Sequence, residues 1–352
     1  MNPATHTADV DILHIVQLER YDIDILDRPG MPSFMELVRS ALTGQLDLSM
    51  NSILQFFANL VFSEFMLNGQ LIRQLLIVAI LGALMSAITQ AFTHKSASET
   101  GFYVTYLMAA LLAISSFRIS VEILTGLTAT VNSIMQAAFP MMIGLVAMGG
   151  NFIGAASFHP LLFFSLQLVA GFITHIFIPM VLAAAALDIA SQLSDESKSL
   201  DKLAELTRKI ADWTLKGIVA AFALVLTLQR IAAPITSNIA LRTSRNVVGA
   251  IPIVGNAFTA AMDTVVGFSQ AARSGVLVAL VIVLCITLVT PLIKMLVLAF
   301  VYRIVAAFLQ PIADKRLVSL MEGVSKHVGL MFSAAGLLGV MCVYTVIILL
   351  WF

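Results

Sequence analysis

The sequence predicts an all-α, polytopic helical membrane protein with two internal repeats, and three observations lead to this fold class. Hydrophobic residues make up 59% of the 352 residues and charged residues 11%, with a mean hydropathy of +0.97. A soluble domain is nearer half apolar and a quarter charged. The apolar runs are long and continuous, as in membrane-spanning helices, and lack the alternation of barrel strands. Finally, prolines and polar residues recur along the chain at a fixed spacing.

Composition and motifs also exclude several function classes. Twenty basic and twenty acidic residues give a net charge of zero, so we expect no bulk attraction to nucleic acid. Cys285 and Cys342 both lie in apolar runs and are interpreted as small buried hydrophobic residues rather than a disulfide or metal pair. The sequence contains no GxxxxGK[ST], HExxH, CxxC or GxSxG motif. We therefore expect no enzyme activity, cofactor or metal.

The chain divides into five parts. They are a polar, acidic tail with amphipathic surface helices (1–70), a first transmembrane span (71–100), two membrane repeats (101–212 and 213–327) and a final span (328–352). No basic start leads into an apolar run, so the sequence does not predict a signal peptide. The tail is interpreted either as loosely ordered or as an arm that docks a partner.

Apolar runs locate the individual spans, and the whole chain is expected to contain six to eight membrane segments. The clearest runs cover 74–92, 101–117, 161–187, 213–228 and 329–352. Between them, 118–138 is a weakly amphipathic piece rich in Thr and Ser, and 192–212 is highly charged. The charged piece is predicted to be helical and to lie outside the hydrocarbon.

The internal repeats are predicted from a constant spacing of 112 residues. The pairs at this spacing are Arg118 with Arg230, Pro140 with Pro252, Asn151 with Asp263, and Pro179 with Pro291. In the same order, each copy has a span, an amphipathic piece, a proline-led segment, a long helix interrupted by proline and a charged exit. Repeats with broken helices are common in transporters.

Prolines are predicted to interrupt the long helices. A single straight helix from 275 to 310 would extend about 54 Å, which exceeds the hydrocarbon thickness. Pro291 removes a backbone hydrogen bond and clashes with the preceding turn, so a kink or split is expected there. The segment 140–160 has a centre rich in Gly and Asn and could form a re-entrant hairpin. Alternatively, the prolines only kink packed helices.

Lys294 and Arg303 are cations within the apolar helix of the second repeat. A charge near mid-bilayer costs roughly 3 kcal/mol or more, so each either lines a path or extends its long side chain to the interface. The candidate path-lining or gating residues are Pro140, Asn151, Pro179, Pro252, Asp263, Pro291, Lys294 and Arg303. His175 and Asp188 are single polar groups in or beside apolar runs, and such a histidine is more often a hydrogen-bonded packing residue than a ligand.

Several of these segments resemble one protein family. They are IPIVG at 251–255, AMDTVVG at 261–267 and PLIKMLVLAFVYRIVAAFLQPIADKRL at 291–317. With the closing apolar helix, they are similar to the stage III sporulation protein AE family of endospore-forming bacteria, over roughly 37–352. Family precursors commonly begin with a signal-like apolar segment, which leaves the sidedness of residues 1–70 open.

The resemblance implies a multispanning protein of the mother-cell membrane around the forespore. Its implied partners are an ATPase, ring-forming and other stage III sporulation membrane proteins, a forespore membrane protein and the lipid bilayer, and self-association is an open option. The implied role is the membrane core of a secretion-like channel complex that forms or gates a transport path. Two alternatives are a non-conducting scaffold for the rings and ATPase, and a stand-alone secondary transporter of a small solute.

Overall fold

A computed structural model describes residues 50–91, 95–148, 152–192, 198–248, 281, 284–285 and 287–351, and its regular structure in these residues is entirely helical. The helices are α1 (Met50–Leu67), α2 (Gly69–Ala91), α3 (Lys95–Met148), α4 (Phe152–Phe172), α5 (Ile178–Ser191), α6 (Lys198–Val248), α7 (Thr287–Leu309) and α8 (Lys315–Trp351). A π-helical turn, Ile173–Phe177, joins α4 to α5. The predicted all-α class is confirmed.

Five helical stretches of the described residues are long and apolar enough to cross a membrane. They are Tyr103–Gln136, Leu162–Ser191, Lys202–Thr227, Thr287–Leu309 and Lys315–Ile347. The bent pair α1 and α2, which meet at 50°, makes a sixth if it is counted as one span. The helical membrane class is thus confirmed. The expected six to eight segments for the whole chain stay a prediction, because five or six is the number within the described residues alone.

Helix α3 joins two pieces that the sequence separates. The predicted span 101–117 and the Thr- and Ser-rich piece 118–138 form one helix of 54 residues, about 80 Å long. Several of its hydroxyl groups are satisfied within the helix: Ser120 Oγ donates to the Ser116 carbonyl at 2.9 Å, and Thr128 Oγ1 donates to the Leu124 carbonyl at 2.8 Å. This local bonding lets polar residues continue a helix through apolar surroundings.

Two charged segments also turn out to continue the neighbouring spans. Most of 192–212 belongs to α6, and the EGVSKH segment at 322–327, predicted to precede the last span, lies inside α8. Ion pairs at i,i+4 spacing support both stretches. They are Lys209–Glu205 at 2.8 Å, Lys216–Asp212 at 2.6 Å and Lys326–Glu322 at 3.4 Å.

Pro179 and Pro291 have different effects on their helices. Pro179 lacks an N–H, so the carbonyl of His175 loses its α-helical partner. The chain forms a π-helical turn immediately before this proline, closed by the Ile178 N–H on the Ile173 carbonyl. Pro291, by contrast, lies inside α7, which continues through it without a split. Because Pro252 and Asp263 lie outside the described residues, the internal duplication stays a prediction.

Buried apolar side chains form two clusters that share several helices. Cluster A draws on α1, α2, the first half of the α3 span, the later part of α5, α7 and the start of α8. Cluster B draws on the later part of α3, α4, the start of α5, α6, the first half of α7 and the later part of α8. Along α3 the change from A to B falls between Phe117 and Leu124. Along α8 it falls between Val328 and Met331.

Hydrogen bonds of Tyr302 join α7 to α3 within cluster A. Its hydroxyl lies 2.6 Å from Ser116 Oγ and donates to the Leu112 carbonyl at 3.1 Å. We expect Tyr302→Phe to destabilise the protein by about 1–2 kcal/mol, because the buried Ser116 hydroxyl loses its partner on α7. A detergent unfolding titration measures this, with Tyr344→Phe on the exposed face of α8 as the matched control. Equal effects of the two variants would contradict the role of the hydrogen bonds.

Candidate functional site

Ionisable side chains concentrate close to the junction of the two apolar clusters. They are Arg118 and Glu122 on α3, Asp188 on α5, Arg208 on α6, Lys294 on α7 and His327 on α8. Charged groups in spanning helices are costly unless they face protein, water or a headgroup. Their grouping at one level makes this layer the strongest candidate site among the described residues.

Asp188 is the centre of a cluster that joins three helices. Its Oδ2 lies 2.6 Å from His327 Nε2 and accepts a hydrogen bond from Arg208 Nη1 at 3.2 Å. The His327 side chain is only 1% exposed, whereas Asp188 and Arg208 are partly exposed. One carboxylate oxygen therefore connects α5, α6 and α8.

The cluster lies at the wall of a cleft of about 240 Å³. Around Asp188, Arg208 and His327 the lining includes charged side chains of both signs from α6 and α8 and the apolar Phe117 of α3. The Phe117 and His327 rings meet edge to face, with centroids 6.0 Å apart. The cleft thus has a polar mouth and an aromatic wall beside the buried histidine.

His327 carries a further polar atom that the cluster does not satisfy. With the Asp188 carboxylate as acceptor, Nε2 carries the proton shared between the two side chains. Nδ1 is buried and has no hydrogen-bond partner among the described residues. Within the described parts of the chain, no group of three His, Cys, Asp or Glu side chains could hold a metal ion.

A second ion pair links α1 to α7. Lys294 Nζ lies 4.0 Å from Glu64 Oε1. The Glu64 side chain is 5% exposed and that of Lys294 is 41% exposed. The lysine is therefore placed between a buried carboxylate and the molecular surface.

The other predicted path-lining residues are spread through the fold. Pro140 lies in the last part of α3, Pro179 follows the π-helical turn and Pro291 lies in α7. Arg303 is exposed on α7. The remaining three, Asn151, Pro252 and Asp263, lie outside the described residues.

The sequence analysis did not identify the Asp188 cluster or the partner of Lys294. Asp188 is the only carboxylate between 152 and 190, which is a usable signal for a functional or paired group. Its partners are distant along the chain, since Arg208 and His327 lie on later helices. Only tertiary packing brings these residues together.

Comparisons with known proteins place the chain in a family. The model of the family Stage III sporulation protein AE matches residues 32–352. Stage III sporulation protein AE of Bacillus subtilis (strain 168) is 30% identical over 311 residues, which cover 88% of this chain and 76% of that protein. No solved structure matches the chain. The resemblance noted in the sequence is thereby confirmed, and the chain belongs to the stage III sporulation protein AE family.

Proposed function

We propose that this chain is the membrane core of a secretion-like channel complex that works during endospore formation, where it forms or gates a transport path. Family membership supports the sporulation setting, and the apolar helices support a membrane location. The observation that carries the proposal is the layer of ionisable side chains between the two apolar clusters. Ionisable groups within or at the ends of membrane-spanning helices commonly mark transport routes.

The proposed mechanism uses the ion pairs as reversible connections between helices. Asp188 connects α5, α6 and α8, and Lys294 connects α1 to α7. Movement of either helix group would separate opposite charges and expose polar groups that could face water. In this proposal the chain lies in the mother-cell membrane around the forespore, a partner ATPase supplies the energy, and ring-forming and forespore membrane proteins complete the conduit.

Accessibility of single cysteines tests for a hydrated path. The background carries Cys285→Ser and Cys342→Ala, and single cysteines replace Asn151, Asp263 and Lys294 in sporulating cells. We expect all three to react with a small water-soluble thiol reagent. Leu298→Cys, one turn from Lys294 on α7 and 2% exposed, should stay unreactive as the matched control.

The same experiment addresses the two alternatives. If the three cysteines are shielded while Asp201→Cys on α6 reacts freely, the charged groups are only packed, and a scaffold for rings and ATPase replaces the conduit. If the three cysteines still react and transport continues in cells that lack the other complex members, the chain is a stand-alone transporter and not part of a channel complex.

A further inference from the structure

Helix α6 exposes a continuous stripe that repeats every seven residues. Writing Leu203 as heptad position a, all a and d positions from Leu203 to Thr227 are exposed. They are Leu203, Leu206, Ile210, Trp213, Gly217, Ala220, Leu224 and Thr227. This stripe is called the α6 seam. The opposite face, which includes Ala211 and Leu215, is buried in the bundle.

The seam sets α6 apart from the other spans. Only 17% of its apolar window is buried within the chain, against 39–50% for the other four. The four bulky residues of its first half, Leu203 to Trp213, are 47–74% exposed. A spacing of alternating three and four residues is the pattern by which helices pack in coiled coils.

Lipid tails do not account for the first half of the seam. Residues 210–227 contain two charged residues, whereas Lys202, Glu205, Arg208 and Lys209 lie in the two turns before them. Trp213 marks the interface, where tryptophan is enriched. Leu203 and Leu206 therefore lie in the charged end of the span, where exposed apolar side chains favour a protein partner over lipid tails.

We propose that a second copy of this chain packs along the α6 seam to form a parallel, symmetric dimer. Copies inserted in one membrane share an orientation, so a two-fold axis normal to the membrane makes their α6 helices parallel. In a parallel pair, position g of one helix faces position e of its partner. The g positions Lys202, Lys209 and Lys216 then face the e positions Thr207, Thr214 and Ala221, so no lysine faces a lysine.

The charges beside the seam favour a second copy over an acidic partner. Lys209 is paired with Glu205 at 2.8 Å and Lys216 with Asp212 at 2.6 Å on the same helix. Two of the three lysines on this flank are thereby neutralised without a partner. Deeper in the span the seam includes the small residues Gly217 and Ala220, and a Cβ at Gly217 would meet nothing within 4 Å. Small residues let two helices approach closely within a membrane.

Oxidative cross-linking in native membranes tests the dimer. In the Cys285→Ser, Cys342→Ala background, we expect Leu206→Cys and Leu224→Cys to give a cross-linked dimer. Val219→Cys should not, because Val219 is 50% exposed in the same span but lies off the seam. Equal cross-linking at Val219, capture of a different protein, or the absence of a dimer at both seam positions would overturn the proposal.

A steric variant provides a second measurement on the full chain in lipid vesicles. Gly217→Leu is expected to weaken dimerisation about tenfold or more, measured by energy transfer between labelled copies at increasing dilution. Gly126→Leu is the matched control, because a Cβ at Gly126 of α3 also meets nothing within 4 Å. It should dimerise like the unmodified chain. If Gly217→Leu dimerises like the unmodified chain, the proposed packing along the α6 seam is wrong. This outcome does not depend on the role of the chain in transport.

Discussion

Replacing Asp188 with alanine is expected to lower the free energy of unfolding by about 2–3 kcal/mol. The substitution removes the carboxylate oxygen that accepts hydrogen bonds from both His327 Nε2 and Arg208 Nη1. It leaves the Arg208 guanidinium without its hydrogen-bonded carboxylate. Neither nitrogen of the His327 ring then has a hydrogen-bond partner among the described residues. The partial exposure of Arg208 keeps the expected loss below that of a fully buried pair.

Unfolding in mixed micelles, followed by circular dichroism, measures this loss. Asp188→Asn retains an acceptor oxygen and should lose less than Asp188→Ala. Glu205→Ala is the matched control, since Glu205 lines the same cleft but pairs with Lys209 on the exposed face of its own helix. A double-mutant cycle with His327→Ala should show coupling, because the two side chains are in direct contact. Additive losses would mean that the 2.6 Å contact contributes nothing of its own.

The membrane class was predictable because it depends on local composition. Long apolar runs need no partner to be recognised, and the positions of most spans follow from them. The ends of the helices and their continuity were harder to predict from the sequence. The sequence separates 101–117 from 118–138 because Thr and Ser are weak helix formers, but side-chain bonds such as Thr125 Oγ1 to the Val121 carbonyl keep α3 continuous.

The end of α7 shows the opposite case, where local signals suffice. Pro311 cannot continue the helix with a normal hydrogen bond, and the chain turns over 310–314. Asp314 Oδ1 then accepts the Arg316 N–H at 2.8 Å and caps the start of α8. The charged exit predicted from PIADKRL is therefore a tight turn between two spans.

The candidate site was only partly predictable because its contacts join residues far apart along the chain. Lys294 is conspicuous in an apolar helix, but nothing near it in the sequence points to Glu64 on α1. Likewise, Asp188 is conspicuous as a lone carboxylate, whereas His327 lies in a polar segment that resembles a surface loop. Ionisable residues in apolar runs can be identified from the sequence, but their pairing needs the three-dimensional arrangement.

Lys294→Met is expected to destabilise the packing of α1 on α7 by about 2 kcal/mol, more than Glu64→Gln does. The asymmetry follows from burial. Removing the lysine leaves the Glu64 carboxylate, 5% exposed, without its counter-charge, whereas Glu64→Gln leaves a lysine that is 41% exposed and can reach water. Unfolding titrations and protease accessibility of α1 measure both losses. Lys326→Met, which breaks an exposed pair on α8, is the control and should lose less than about 1 kcal/mol.

The double variant Glu64→Gln with Lys294→Met separates a structural role from a transport role. It removes both charges together, so most of the stability lost in Lys294→Met should return. If Lys294→Met and the double variant are equally unstable, the charge of Glu64 is not what destabilises the single variant. With folding restored, heat-resistant spore formation becomes the informative readout. A stable double variant that fails to sporulate would show that the charges act in transport. A stable double variant that sporulates normally would show that the ion pair only stabilises the packing of α1.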